Sequence, residues 1–166
     1  MRTRLVVIGN GMVGHRLIET LCESTPGTFS ITVFCGESRV AYDRVHLSAY
    51  FSHHNADKLS LVEDDYYGQH LVELLLNEQV TQIDRQNKQV ISSQVRHLSY
   101  DILVLATGSY PWVPPITGAE GQHCFVYRTI DDLDAIERCA TVCQRGVVVG
   151  GGLLGLEAAG ALKIWE

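Results

Sequence analysis

The chain has 166 residues, enough for about one domain, and its 13 basic and 19 acidic side chains give a formal net charge of −6. This acidic balance argues against a nucleic-acid partner, which would require a basic surface. An apolar content of 46% supports a packed core and excludes long disordered segments. No stretch approaches the ~20 apolar residues of a membrane span, so no membrane partner is predicted.

The cysteines indicate a reducing compartment. They are odd in number and contain no C-x-x-C pair, which fits reduced thiols better than a disulfide framework. The apolar run near the N-terminus is too short for a signal peptide. We therefore predict a cytoplasmic location with free thiols at Cys22, Cys35, Cys124, Cys139 and Cys143.

The first motif follows an apolar run at residues 5–8, which is typical of a strand buried on both faces. Gly9, Gly11 and Gly14 then have the spacing G-x-G-x-x-G. The first glycine permits a tight turn, the second lets a pyrophosphate approach the backbone, and the third lets the helix pack on the strand. With a predicted helix after it, the motif favours dinucleotide binding over a purely structural turn.

Two further candidates for the nucleotide site follow a second predicted strand at residues 31–34. Glu37 lies 23 positions after Gly14, close to the ~20 expected for the acid that binds a ribose hydroxyl. The alternative is a solvated loop glutamate. Arg44 lies in a loop rich in aromatic residues and histidines, and its forked guanidinium suits a pyrophosphate. The alternative is an ion pair with Asp43 or Asp57.

The middle of the chain predicts a small β layer beside the main sheet. A short helix at residues 64–70 and a strand at 72–76 precede a hairpin of residues 80–83 and 88–91, and residues 95–98 add a third strand. The adjacent His53 and His54 would point apart on a helix, so we expect no metal site there.

The apolar run at residues 102–106 predicts a strand that rejoins the parallel sheet. It leads into Ala106, Thr107 and Gly108, small residues that would let the backbone approach a cofactor at the edge of the sheet. A proline-rich stretch at residues 110–115 then indicates a boundary.

The sequence of the last third of the chain predicts a short strand at residues 125–127 and then a helix that ends at about Cys143. This helix begins with a capping box of Thr129 and Asp132. Cys139 and Cys143 are spaced i, i+4 on it. That spacing permits metal binding, but without further ligands nearby we interpret the pair as ordinary thiols, and we predict no metal site.

A second G-x-G-x-x-G follows a predicted strand at residues 147–149. Its glycines are Gly150, Gly152 and Gly155, and a helix with small residues comes after them. Two such motifs in one chain, each between a strand and a helix, are much more specific than one.

These motifs resemble the two-nucleotide flavoprotein reductases of the pyridine-nucleotide–disulfide oxidoreductase superfamily. Within it, the segments IGNGMVGHR, AYDRVHLSAYFSHH, LATGSYPWVPPI and VVGGGLLGLEAAGALK resemble the N-terminal part of the large subunits of assimilatory NAD(P)H-dependent nitrite reductases. The resemblance implies an oxidoreductase with FAD at the first motif and NAD(P)H at the second. It implies cofactor contacts from Gly9, Gly11, Gly14, Glu37, Arg44, Ala106, Thr107, Gly108, Gly150, Gly152 and Gly155.

The fold class that follows is α/β. We expect a Rossmann-like FAD-binding domain, with a parallel sheet and a small antiparallel layer, at residues 1–115. Residues 116–145 would form a connecting strand and helix, and residues 146–166 the truncated start of an NAD(P)-binding Rossmann unit.

The resemblance also implies where the electrons go. No C-x-x-x-x-C lies near the predicted flavin site, so electrons would leave without a protein disulfide, toward an iron–sulfur cluster and siroheme downstream. Partners would be the rest of the reductase and its small subunit. Only eleven residues follow Gly155, so we expect an N-terminal fragment that is inactive alone and has no catalytic residue of its own. The alternatives are a fragment of a ferredoxin- or rubredoxin-type reductase and a non-catalytic nucleotide-binding module.

Overall fold

The structure is a computed structural model that describes residues 2–53 and 55–163. The histidine pair interpreted above falls on His54 and on the side chain of His53, which lie outside the described residues. The chain divides into two compact units, Met1–Tyr42 with Ser60–Gly108, and Asp43–Leu59 with Ser109–Glu166. The predicted domain boundaries stay a prediction.

The described residues of the first unit form two sheets and two helices. Its elements are β1 Thr3–Ile8, α1 Met12–Ser24, β2 Phe29–Phe34, α3 Tyr66–Gln69, β3 Glu73–Leu75, β4 Val80–Asp84, β5 Gln89–Ser92, β6 His97–Ser99 and β7 Ile102–Leu105. The second unit contains α2 Ala49–His53, a 3-10 turn Ala56–Leu59, α4 Ile130–Ala140 and α5 Leu153–Leu162.

The main sheet of the first unit is parallel, with strand order β3-β2-β1-β7. On the central strand, Val7 is in register with Val33 of β2 and Val104 of β7. The apolar runs of these strands thus form the parallel sheet that the sequence predicts. The connection of β1 to β2 through α1 is the predicted βαβ unit.

Both faces of the central strand β1 are covered. Leu5 and Val7 pack in one cluster with Ile18 of α1, whereas Val6 and Ile8 pack in the other with residues of the antiparallel sheet. This explains why the strand is a continuous apolar run rather than an alternating pattern. Val13, in the first turn of α1, is 74% exposed and takes no part in this packing.

The small sheet is antiparallel with order β4-β5-β6, which confirms the predicted hairpin. Asp84 holds its turn by accepting the N–H groups of Gln86 and Asn87, both at 3.0 Å. The third strand begins at His97 rather than at Val95. Val95 has φ +59° and donates its N–H to Ser92 O at 3.0 Å, so it belongs to a tight turn.

In the second unit the predicted capping box is confirmed. The Thr129 side chain accepts the Asp132 N–H at 3.2 Å, and the Asp132 carboxylate accepts the Thr129 N–H at 2.8 Å. The strands predicted at residues 125–127 and 147–149 are wrong, because both segments lack regular structure. A strand needs a partner for its ladder groups, and none pairs with these segments within the described part of this unit.

Among the residues that the structure describes, no helix has both the length and the apolarity needed to cross a bilayer.

Candidate functional site

In the first unit, three loops meet at the carboxyl ends of the parallel strands. Gly9 follows β1 and donates its N–H to Phe34 O at 2.8 Å, at the end of β2. Ala106 follows β7 and donates its N–H to Ile8 O at 2.8 Å. In open parallel sheets, ligands bind outside this edge. The fold therefore brings the first glycine motif together with the predicted Ala106-Thr107-Gly108 element.

Gly9 makes the turn in a conformation that favours glycine, with φ +107°. A Cβ at this position would lie 2.2 Å from Ala106 O and 3.1 Å from Thr107 N. The loops after β1 and β7 thus approach each other more closely than any side chain at Gly9 would permit.

The N-terminus of α1 offers donors for an anion. Gly11 is the N-cap residue in ordinary extended backbone (φ −84°, ψ −169°), and the cap position supplies no side-chain hydrogen bond. The first turn contains no acidic residue. A Cβ on Gly14 would lie 2.1 Å from Gly9 O, so the third glycine permits close packing of helix and loop. Free N–H groups at a helix N-terminus fit a phosphate group.

Asn10, inside the glycine motif, is the first residue of a buried polar network. Its Oδ1 accepts the Tyr67 hydroxyl at 2.8 Å, and that hydroxyl lies 3.1 Å from His15 Nδ1. His15 Nε2 in turn lies 3.2 Å from Leu61 O. Burial raises the pKa of Tyr67 to about 12, so the hydroxyl stays protonated at neutral pH. These hydrogen bonds hold the loop that carries the first glycine motif on its buried side.

The amide of Asn10 leaves one donor unused. Its Nδ2 is buried and has no hydrogen-bond partner within the described part of the chain. A buried donor without an acceptor carries a desolvation cost, which an acceptor-rich ligand would offset. This amide fits a diphosphate bound at the loop. The same holds for the glycine cradle, the close approach of the loop, helix α1 and Ala106 that Gly9 and Gly14 permit.

Glu37 lies in the loop after β2, at the same edge of the sheet. Its Oε2 accepts the Tyr42 hydroxyl at 2.7 Å, and its backbone carbonyl accepts the Asn77 N–H at 3.0 Å. The half-buried carboxylate is therefore oriented by a tyrosine hydroxyl of the same unit. Its role as the ribose acid stays a prediction.

The remaining predicted site residues belong to the second unit. Gly150 has φ +134°, and a Cβ on Gly155 would lie 2.1 Å from Gly150 O, so the second motif forms the same turn as the first. A Cβ on Gly150 or Gly152 would meet no atom of the described residues within 4 Å. Arg44 also lies in this unit, and the cofactor roles of Arg44 and these glycines stay predictions.

Sequence reasoning missed Asn10, Tyr67 and His15 as members of the site. Asn10 occupies a variable position of the glycine motif, and Tyr67 lies 57 residues further along. No local pattern connects residues so far apart, and only the fold brings them together.

Comparison with known proteins decides the family. The family model described as pyridine nucleotide-disulphide oxidoreductase matches residues 3–165. The chain belongs to this family. Membership confirms the resemblance predicted from the two glycine motifs and implies FAD and NAD(P)H as cofactors.

The curated relatives include nitrite reductases. The chain is 61% identical over 163 residues to the nitrite reductase (NADH) large subunit of Escherichia coli strain K12, covering 98% of this chain and 19% of the relative. It is 52% identical to the nitrite reductase [NAD(P)H] large subunit of Klebsiella oxytoca, covering 96% of this chain and 17% of the relative. The chain thus spans about a fifth of the length of these curated relatives.

Solved structures confirm the α/β fold. Putidaredoxin reductase in its covalent complex with putidaredoxin matches with a TM-score of 0.87 and 32% identity, covering 98% of this chain and 40% of that one. A NAD-dependent persulfide reductase from A. fulgidus matches with a TM-score of 0.89 and 30% identity, covering 98% of this chain and 32% of that one.

Proposed function

We propose that this chain supplies the FAD-binding part of an NAD(P)H-dependent nitrite reductase large subunit. The observation that carries the proposal is the glycine cradle of the first unit, where Gly9 and Gly14 bring the loop, helix α1 and Ala106 too close for any side chain. The curated relatives named nitrite reductase supply the reaction.

In this proposal each loop at the carboxyl edge of the parallel sheet contacts a different part of FAD. The N–H groups at the start of α1 bind the pyrophosphate, and the Asn10 amide supplies a further donor. Glu37, held by Tyr42, accepts the hydroxyl groups of the adenosine ribose. Ala106, Thr107 and Gly108 let the backbone approach the flavin. FAD, when bound, supplies the acceptor for the hydride of NAD(P)H.

The same proposal extends to the rest of the reductase. Gly150, Gly152 and Gly155 would take part in NAD(P)H binding, and Arg44 would lie beside the FAD. Electrons would pass to an iron–sulfur cluster and siroheme outside this chain, with the small subunit as a partner. The five cysteines are free thiols in the structure, which supports a cytoplasmic location.

The similarity to putidaredoxin reductase favours a second candidate, a reductase of a small electron-transfer protein. The flavin-binding part would be the same, and the two candidates would differ in the electron acceptor. A non-catalytic module would retain nucleotide binding alone. Assaying the protein as its gene encodes it, with nitrite against a redoxin as electron acceptor, would separate these candidates, because a non-catalytic module would reduce neither.

The FAD assignment is tested with Gly11→Val. Gly11 and Gly152 are equivalent N-cap residues with extended backbone, φ −84° and φ −80°, so valine is compatible with both. A branched side chain at Gly11 would occupy the space of the pyrophosphate. We expect FAD affinity, measured by quenching of flavin fluorescence, to fall at least about tenfold, or ~1.4 kcal/mol.

Gly152→Val is the matched control and should leave FAD affinity unchanged. Equal affinity of wild type and Gly11→Val would overturn the assignment. So would a loss in Gly152→Val as large as the loss in Gly11→Val, because the first motif would then have no special relation to FAD.

A further inference from the structure

Three side chains with soft or borderline ligand atoms converge in the second unit. They are His123, Cys139 and Cys143, and their ligand atoms all lie within 4.8 Å of one another. The two Sγ atoms are only 3.4 Å apart. None of these residues belongs to either glycine motif or to the other residues predicted to bind the cofactors.

Helix α4 places the two thiols on one face. Cys139 lies in its last turn, and Cys143 follows three residues after its end. The Cys143 N–H donates to Cys139 O at 3.1 Å, so the helical hydrogen-bond spacing continues to Cys143. Residues at i and i+4 on such a turn lie one above the other, which brings both Sγ atoms to the same side.

A separate turn supplies the imidazole. The Gly121 N–H donates to Gly118 O, and the Cys124 N–H donates to Gly121 O, both at 3.0 Å. These successive turns present His123 to the thiol pair. The sequence shows the cysteine spacing but not the third ligand, which lies 16 positions before Cys139.

We propose that His123, Cys139 and Cys143 bind one Zn²⁺ ion, with a water molecule or an external group as the fourth ligand. Two thiolates and an imidazole are a ligand set that Zn²⁺ accepts in tetrahedral geometry. Three protein ligands leave one position open, and His123 and Cys143 are exposed, so the ion would be reachable from solvent. The inference does not depend on the proposed function.

The geometry needs little adjustment. With Zn–S bonds of about 2.3 Å and tetrahedral angles, two coordinating sulfur atoms lie roughly 3.8 Å apart. The observed separation is 3.4 Å, so the sulfur atoms need to move apart by a few tenths of an ångström. The imidazole, at most 4.8 Å from the sulfur atoms, needs to approach by about 1 Å. Side-chain rotation in an exposed site permits both movements.

The experiment titrates Zn²⁺ into the reduced, chelator-treated full chain in competition with a chromogenic zinc indicator. We expect one tight site per chain. Cys139→Ser, Cys143→Ser and His123→Ala should each weaken binding at least about tenfold. Substitution of Co²⁺ should produce thiolate-to-cobalt charge-transfer bands and the intense visible bands of tetrahedral coordination.

Cys124→Ser is the matched control. Cys124 neighbours His123 and is exposed, but its Sγ lies against Gly118 O at 3.4 Å and is not part of the cluster. Zinc affinity should be unchanged in this variant. Far-ultraviolet circular dichroism would show that every variant keeps the fold.

A second readout uses the thiols of the unmodified chain. Bound Zn²⁺ should protect Cys139 and Cys143 from alkylation and leave Cys124 reactive, as read by mass spectrometry of the peptides. The proposal is overturned if no tight site appears, if Cys124→Ser loses affinity as much as Cys143→Ser, or if the two cluster thiols react equally with and without zinc.

Discussion

Replacing Gly9 with alanine should destabilise the first unit by about 2–5 kcal/mol. The backbone at Gly9 has φ +107°, and an L-residue held in the left-handed region costs about 1–2 kcal/mol. The new Cβ would also lie 2.2 Å from Ala106 O, a backbone atom that cannot rotate away. Overpacking of this kind costs about 1–3 kcal/mol. Since a typical domain has only about 5–15 kcal/mol of stability, the loss is easily measurable.

Gly27→Ala separates the two contributions. Gly27 lies in the same unit with φ +76°, but the nearest atom to its added Cβ is Arg2 Nη2 at 3.9 Å, so this variant carries backbone strain without a clash. Urea unfolding of the FAD-free chain, followed by far-ultraviolet circular dichroism, gives both free energies of unfolding. Gly9→Ala should lose about 1–3 kcal/mol more than Gly27→Ala. Equal losses would show that the contact with Ala106 does not restrict residue 9.

Three further predictions follow from other contacts. Tyr67→Phe should lower the free energy of unfolding by about 1–3 kcal/mol in the same assay, because it leaves the buried Oδ1 of Asn10 without its hydrogen-bond donor. The control Tyr110→Phe, at a side chain that is 89% exposed, should leave the free energy of unfolding unchanged. Hydrogen bonds from Arg4 lower the pKa of the Asp101 carboxyl to about 2. The stabilisation of the folded state by this pair is therefore present above pH ~4 and is lost as the pH falls through about 2. An Asp101 titration midpoint near ~3.9, measured by NMR of the carboxyl carbon, would contradict this. With excess NADH under anaerobic conditions, the bound FAD should bleach far more slowly than the flavin of an intact reductase, because a Cβ on Gly150 or Gly152 would meet no described atom within 4 Å and the second motif therefore lacks the close neighbours that would position a nicotinamide. Bleaching at a comparable rate would refute the reasoning.

The parallel sheet could be predicted because its strands carry their own signal. β1 and β2 end in short apolar runs, and a strand covered on both faces has no reason to alternate. β7 is also an apolar run, but it lies at the edge of the described sheet, and its Ile102 and Leu105 are 44% and 61% exposed. The glycines after β1 then indicate the turn and the helix that follow. The capping box at Thr129 is equally local, since both of its hydrogen bonds lie within four residues.

Features that depend on distant partners escaped prediction. Residues 147–149 have the apolar pattern of a strand, but Val147 and Val149 are 87% and 80% exposed and form no ladder. An apolar run is only compatible with a strand, and a pairing strand must be present to form one. For the same reason the sequence did not show that His123 joins the cysteine pair or that Tyr67 supports Asn10.

The two glycine motifs separate what the local sequence encodes from what the fold adds. In both, the third glycine would place a Cβ 2.1 Å from the carbonyl of the first, so the turn is the same. The surroundings differ, because a Cβ on Gly9 would lie 2.2 Å from Ala106 O, whereas a Cβ on Gly150 would meet no described atom within 4 Å. A diphosphate needs fixed donors at a closed sheet edge, and preorganisation of such donors reduces the entropic cost of binding. The G-x-G-x-x-G spacing therefore specifies a turn, and neighbouring strands give the first turn the closed surroundings that a diphosphate site needs, which is why we propose that FAD binds at the first motif.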